Sequence, residues 1–293
     1  MKWSEIEQVF LDELSDLYDS TEIKAIFHIA VEHVAQQKRP NFLLNKNNIV
    51  IPDQQRQLTE MLDLLKSGKP IQHLTGSAHF YGFDFNVNEH TLIPRPETEE
   101  LVDLIVKSHG TQKKLRLIDI GTGTGCIPIS LAKHLRDPQI WAIDISSEAL
   151  LIAKQNAKKQ EADIQFIRAD ILEWEFLFTN GERFDIIVSN PPYITPIEKE
   201  KMHKNVVAFE PHLALFVEGS APLIFYDYIS DFALAHLEET GTLYFEINQY
   251  LSSETTSLLR KKGFTQINIL KDINGSDRMI SAKKQPSPIK ISK

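Results

Sequence analysis

Apolar residues in the first seventy positions recur every three or four places. Ile6, Val9, Phe10, Leu14 and Leu17 share one helical face, and Ile23, Ile26, Phe27, Ala30, Val31 and Val34 share another. Ser20 is the expected cap of the second helix, and Pro40 is expected to close that region, with Leu43 and Leu44 in a short connector. A third helix is expected from Pro52 or Asp53, burying Leu58, Met61, Leu62 and Leu65 and stopping at Gly68 and Pro70. Each helix offers one apolar stripe, so residues 1–76 are predicted to form a small helical bundle.

The period then shortens to two. Phe80, Tyr81, Phe83, Phe85 and Val87 read as a short hairpin linker over 77–91, with Gly82 as its turn or bulge. Pro94 and Pro96 hold the next stretch extended, and a helix begins near Thr98 and runs through Leu101, Leu104 and Ile105. Beyond Leu115, strand-like runs at 115–120, 140–143, 164–167, 184–189, 242–247, 266–270 and 279–282 alternate with helical stretches at 126–135, 147–158, 222–238 and 252–262. Such alternation predicts an α/β domain over 92–284, a mostly parallel sheet with helices on both faces. From Lys283 to Lys293 the chain carries four lysines, two prolines and no acid, so 285–293 reads as a loose basic tail.

Composition narrows the function classes. A formal charge of -8 disfavours a nucleic-acid binder, whose affinity comes largely from phosphate neutralisation, and favours a protein or small-molecule substrate. A single cysteine, Cys126, excludes an internal disulfide framework and a cysteine-rich zinc site; no metal site is expected. No apolar run approaches the length of a membrane span and the N-terminus has no signal-peptide core, so the expected location is cytoplasmic.

The chemistry concentrates at strand ends. Leu117 to Ile120 run into Gly121-Thr122-Gly123-Thr124-Gly125 and then a helix. This G-x-G-x-G spacing differs from the G-x-G-x-x-G of dinucleotide folds, and a tighter loop suits an amino-acid moiety and a nucleoside, as in S-adenosylmethionine. Asp144 ends the next strand, 19 residues after Gly125, where a carboxylate can accept both ribose hydroxyls. Asp170 closes the third strand, where it can accept from an adenine amino group. Capping a following helix is the competing role for each aspartate. Cys126 reads as a packed thiol.

Asn190-Pro191-Pro192-Tyr193 leaves the fourth strand. A planar amide or aromatic amine nitrogen is a poor nucleophile because its lone pair is delocalised. A site that methylates it must aim the NH2 group at the methyl donor and favour pyramidalisation. Asn190 can accept one N–H through its side-chain oxygen and Pro191 the other through its carbonyl. The paired prolines stiffen the backbone, and Tyr193 offers a flat face. Asn190 also belongs to the cofactor set.

The chain resembles the HemK/PrmC family of release-factor glutamine methyltransferases over nearly its whole length. The resemblance rests on Phe80-Tyr81-Gly82, Leu92-Ile93-Pro94-Arg95-Pro96-Glu97-Thr98-Glu99, Asp119 to Cys126, Asn190 to Ile194, Phe209-Glu210-Pro211, Gly263-Phe264, Lys271-Asp272 and Asp277-Arg278. It implies a seven-stranded Rossmann-like S-adenosylmethionine-dependent methyltransferase (class I) domain behind an N-terminal helical bundle and β-hairpin linker. It also implies methylation of N5 of the glutamine in the Gly-Gly-Gln loop of class I peptide chain release factors, with the helical domain docking that protein. Gly121 to Gly125, Asp144 and Asn190 match the family's cofactor positions, and Asn190 to Tyr193 its glutamine site. Arg95 and Glu97 lie where the family's chain passes the cofactor, with a plain interdomain salt bridge as the alternative for them. The sequence departs from the family at 217–222, at Asn248 where glycine is usual, and at His73. The Asn-Pro-Pro-Tyr piece is shared with adenine methyltransferases, which leaves a nucleic-acid enzyme and a non-catalytic cofactor-binding protein as rivals.

Overall fold

The computed structural model describes residues 1–194, 208–217 and 221–285. The chain divides into two compact units, the first built on Met1–Ser77 together with residues 208–209, and the second on the remaining described residues from Ala78 onward.

The first unit contains α1 (Trp3–Leu14), α2 (Ser20–Ala35), α3 (Arg39–Asn45), α4 (Pro52–Lys66) and α5 (Ile71–Thr75). Asp19, not Ser20, caps α2: its carboxylate accepts from Thr21 N at 2.8 Å and Glu22 N at 3.0 Å. An acceptor one residue earlier, charged and at the positive end of the helix, outcompetes the serine hydroxyl. Pro40 opens α3 instead of closing a helix, because a first-turn proline lacks only an N–H that would go unpaired there. Phe42 of α3 is buried, whereas Leu43 and Leu44 are exposed. Phe42 meets Phe27 edge-on with ring centroids 5.5 Å apart, and Phe27 meets Phe10 at 5.1 Å. Leu14, Leu58 and Leu65 close this core.

The second unit opens with the hairpin β1 (Ser77–Phe80) and β2 (Phe83–Asn86). Tyr81 and Gly82 both have positive φ, 48° and 84°, so the turn has the primed geometry that matches strand twist. Helix α6 (Pro96–His109) starts two residues ahead of the expected Thr98, with proline in its first turn. Then follow β3 (Arg116–Ile120), α7 (Cys126–His134), β4 (Gln139–Asp144), α8 (Ser147–Lys159), β5 (Gln165–Arg168) and β6 (Phe184–Ser189). The chain continues with the short α9 (His212–Leu215), α10 (Ile224–His236), β7 (Leu237–Glu246), α11 (Ser252–Lys262), β8 (Phe264–Lys271) and β9 (Asp277–Lys284).

These strands form one seven-stranded sheet in the order β5-β4-β3-β6-β7-β9-β8. Neighbours from β5 through β7 run parallel, and β9 lies antiparallel between β7 and β8. Both faces are covered, as a parallel sheet requires: Leu117 and Val188 pack into one core with Leu101 and Ile129, and Ile118 and Ile187 into another with Phe232 and Phe245. The chain leaves β3 towards β4 on one side and returns through β6 on the other. The carboxyl ends of β3 and β6 therefore flank the switch point where open α/β sheets bind ligands.

Candidate active site

A cavity of about 840 Å³ opens at this switch point. Gly121, Gly123, Asp144, Asp170, Asn190 and Pro191 line it. Of the remaining sequence-predicted site residues, Pro192 also lines it, whereas Thr122, Thr124, Gly125 and Tyr193 do not. Leu92 and Phe225 belong to the wall as well and were not foreseen.

The glycine loop is shaped by its backbone. Gly123 has φ +54°, and a Cβ there would meet nothing within 4 Å, so it would stand in open space. Gly125 has φ +78°, and a Cβ would stand 3.1 Å from Ile129 and 3.2 Å from Ala153; its absence brings α7 and α8 together. Asn156, fully buried on α8, clamps the loop from behind: its Nδ2 donates to Thr124 O and Asn86 O, and its Oδ1 accepts from Asn86 N at 2.7 Å.

Asp144 Oδ2 accepts from Gly123 N at 2.8 Å and Oδ1 from Ser146 N at 2.9 Å, so the acid at the tip of β4 fixes the loop's height. It does not cap α8, which Ser146 does by accepting from Ala149 N. Burial pushes the Asp144 carboxyl up, and the backbone donors pull it back. Asp170 does take a capping role: it accepts from Leu172 N at the start of a 3₁₀ turn, Ile171–Phe176. Its carboxylate still borders the cavity. Cys126 is buried, with its thiol pushed up to about 12 by burial, which makes it an inert packed thiol.

Asp119 emerges only from the structure as a distinctive group. It is wholly buried on β3 just before the loop, and neither carboxylate oxygen has a hydrogen-bond partner. Burial raises its pKa to about 7; the Thr122 hydroxyl nearby opposes this and the Asp144 charge adds to it. An unpaired buried acid beside an open glycine loop is a favourable neighbour for a cation. The signal was an acid inside an apolar strand, where burial leaves it few partners.

At the end of β6 the side chains take over. Asn190 Nδ2 donates to Thr98 Oγ1 at 3.2 Å, and Thr98 Oγ1 donates to Glu246 Oε2 at 2.6 Å. The Tyr193 hydroxyl donates to Glu246 Oε1 at 3.1 Å, and Asn248 Nδ2 donates to the Tyr193 carbonyl at 3.2 Å. Glu246 lies fully buried at the tip of β7; burial pushes its carboxyl up, while Thr98, Tyr193 and the Arg278 charge act against that. The asparagine at 248 thus anchors the Tyr193 backbone and also caps a short turn through Tyr250 N.

Arg95 pairs with Glu210 at 2.5 Å. Glu210 is buried and also accepts from Ile93 N at 3.2 Å. The Ile-Pro-Arg-Pro stretch is thereby tied to Glu210, and Arg95 does form an ion pair, but with a residue of its own unit and not between domains. Glu97 adds negative charge near Glu246. Of the segment at 217–222, residues 218–220 lie outside the described residues, as do 195–207 and 286–293. Among the described residues no cluster of His, Cys, Asp or Glu could hold a metal ion, and no helix is long and apolar enough to cross a membrane.

A seven-stranded sheet with one antiparallel strand, a glycine loop after its central strand and acids at the next two strand tips defines a class I methyltransferase, the class that takes S-adenosylmethionine as methyl donor. Residues 98–212 match the family model of the methyltransferase small domain, and residues 10–76 match that of the PrmC N-terminal domain. The chain is similar to the release factor glutamine methyltransferase of Flavobacterium psychrophilum, with 48% identity over 92% of this chain and 95% of that one. The protein of the same name from Bacteroides thetaiotaomicron is 41% identical, over 92% and 96% of the two chains. Among solved structures, the 16S rRNA N2 G1207 methyltransferase of Thermus thermophilus shares the fold, with a TM-score of 0.53 and 20% identity over 71% of this chain and 50% of that one. The chain belongs to the release factor glutamine methyltransferase family.

Proposed function

We propose that this protein transfers the methyl group of S-adenosylmethionine to the side-chain amide nitrogen, N5, of the glutamine in the Gly-Gly-Gln loop of class I peptide chain release factors. One observation carries the chemistry: the NH2 group of Asn190 is committed to Thr98, which leaves its carbonyl oxygen as an acceptor at the cavity wall beside Pro191 and Pro192. The family relatives support the choice of a protein glutamine over a nucleobase, and the net charge of -8 favours a protein partner.

The residues fit the methyl donor. Open space over Gly123, the orphaned Asp119 acid and the Asp144 carboxylate match, in turn, close backbone approach, a positively charged amino-acid moiety and ribose hydroxyls. In this reading Asp170, at the cavity wall, accepts from the adenine amino group. S-adenosylmethionine, when bound, supplies a methyl group made electrophilic by its sulfonium. The chain's own work is orientation. Asn190 Oδ1 accepts one N–H of the substrate amide and the Pro191 carbonyl accepts the other, which aims the nitrogen lone pair and favours its pyramidal form. The rigid Pro191-Pro192 backbone holds both acceptors, and Tyr193, fixed by Glu246 and Asn248, backs them. The amide proton leaves after transfer, so no strong base is required.

The deciding experiment supplies labelled S-adenosylmethionine to the purified protein with a release factor, the same factor with its loop glutamine changed to alanine, and DNA or RNA. Label is expected on the intact factor alone. Label on nucleic acid with an unlabelled factor would overturn the reading.

A further inference from the structure

Thr98 sits between two groups with opposite demands. Its hydroxyl has a single proton, and that proton goes to Glu246 Oε2 at 2.6 Å. The oxygen can then only accept, and it accepts from Asn190 Nδ2 at 3.2 Å. An ionised carboxylate is acceptor-only, so the direction of every hydrogen bond along this chain is set at Glu246. We propose that ionised Glu246 is a positioning residue which, through Thr98, dictates which way the Asn190 amide faces and so presents its oxygen to the substrate. This rests on the reading that the substrate is an amide nitrogen.

The alternative state is specific. A protonated Glu246 donates to Thr98, and the threonine proton turns towards Asn190. The asparagine amide then flips and points its NH2 at the substrate NH2, two donors facing each other. The second carboxylate oxygen holds the Tyr193 hydroxyl at 3.1 Å, so one acid ties both Thr98 and Tyr193. The charged and hydroxyl groups that act on Glu246 are Thr98 and Glu97 on α6, Arg278 on β9, and Tyr193. The Tyr226 hydroxyl donates to its main-chain carbonyl. Arg278 is itself held by Asp272 at 3.1 Å, which keeps a cation near the acid. The Cys126 thiol also lies within its field. Burial and the Glu97 charge push the carboxyl up, Thr98, Tyr193 and Arg278 act against that, and the ionised form is the one that the two hydroxyl donors select.

The test compares Thr98→Val, Thr98→Ser and Glu246→Gln with the wild type, using release factor as substrate and calorimetry for cofactor binding. Thr98→Val keeps the shape without the hydroxyl, and Glu246→Gln places an NH2 where an acceptor stood. Each is expected to lower kcat roughly 10- to 100-fold while KM and cofactor affinity move about twofold or less. Thr98→Ser restores the hydroxyl and is expected to return kcat to within about threefold of wild type. The wild-type kcat falls on the acid side as Glu246 takes up a proton, and Thr98→Val loses that fall. Wild-type kcat in Thr98→Val, or a Thr98→Ser enzyme as slow as Thr98→Val, would overturn the proposal. If the wild type transfers nothing to the factor, the substrate reading has failed, and the Asn190 side-chain amide signals in NMR read the orientation without turnover. They are expected to shift with Glu246 ionisation, in the wild type alone if Thr98→Val does not fold; signals that stay fixed across the titration would overturn the relay.

Discussion

The two ends of the cavity are built by different means. At the β3–β4 end the backbone makes the site: glycine φ angles open the loop, Asp144 holds it through Gly123 N, and the residues involved lie within one strand–loop–helix–strand unit. At the β6 end side chains make it. Asn190 depends on Thr98 at the start of α6 and Glu246 at the tip of β7, and Tyr193 depends on Glu246 and Asn248. A backbone cradle tolerates a polar, flexible ligand because it fixes only contour and N–H positions. A reacting amide needs lone pairs aimed within a narrow cone, and that takes a chain of hydrogen bonds with defined directions.

This contrast can be broken by perturbing each end in turn. The largest effect belongs to the side-chain end: Asn190→Ala is expected to lower kcat roughly 10²- to 10³-fold, about 3–4 kcal/mol, with cofactor affinity reduced far less. Equal losses in cofactor binding and turnover would erase the distinction between the two ends. Glu210→Ala strips Arg95 and Ile93 N of a buried partner, and a loss of about 3 kcal/mol in denaturant stability is expected. A smaller change in urea unfolding than about 1 kcal/mol would show that the pair is not holding this strap.

The β3–β4 end answers to pH. Asp119 keeps its proton up to about 7 in the folded chain but only to the ordinary carboxylate value when unfolded. The folded state therefore binds more protons between those values, and stability falls as pH rises through that window. The cofactor-free protein is expected to lose on the order of 3 kcal/mol from pH 4 to pH 7 through this group, and Asp119→Asn to flatten that part of the profile. Thermal unfolding without cofactor checks it; identical profiles would sink the assignment. The smallest effect is expected for Asp144→Asn, roughly a tenfold weaker cofactor affinity by calorimetry with kcat at saturation nearly intact, since the amide retains one acceptor but loses charge. A collapse of kcat instead would join the two ends that the geometry keeps apart.

Much of the architecture was legible because local signals agreed. Apolar runs bounded by glycine and aspartate located all seven strands of the sheet, and β6 falls at the expected 184–189. Boundaries slipped where chemistry between neighbours decided them, as with Asp19 ahead of Ser20 and Pro40 opening α3. Asp119, Thr98, Glu210 and Glu246 were visible only as letters inside motifs, because their meaning lies in contacts far along the chain.

The sequence by itself determined the period of each element, the glycine loop with its acids, and the Asn-Pro-Pro-Tyr segment, since each is a property of residues adjacent along the chain. The tertiary structure decided which acids are partnered: Asp170 as a cap, Asp119 orphaned, Glu210 clamped to Arg95, Glu246 commanding Thr98 and Asn190. The reason is physical. Burial removes water as the universal partner, so a side chain's charge and hydrogen-bond direction are set by whichever groups the fold brings beside it.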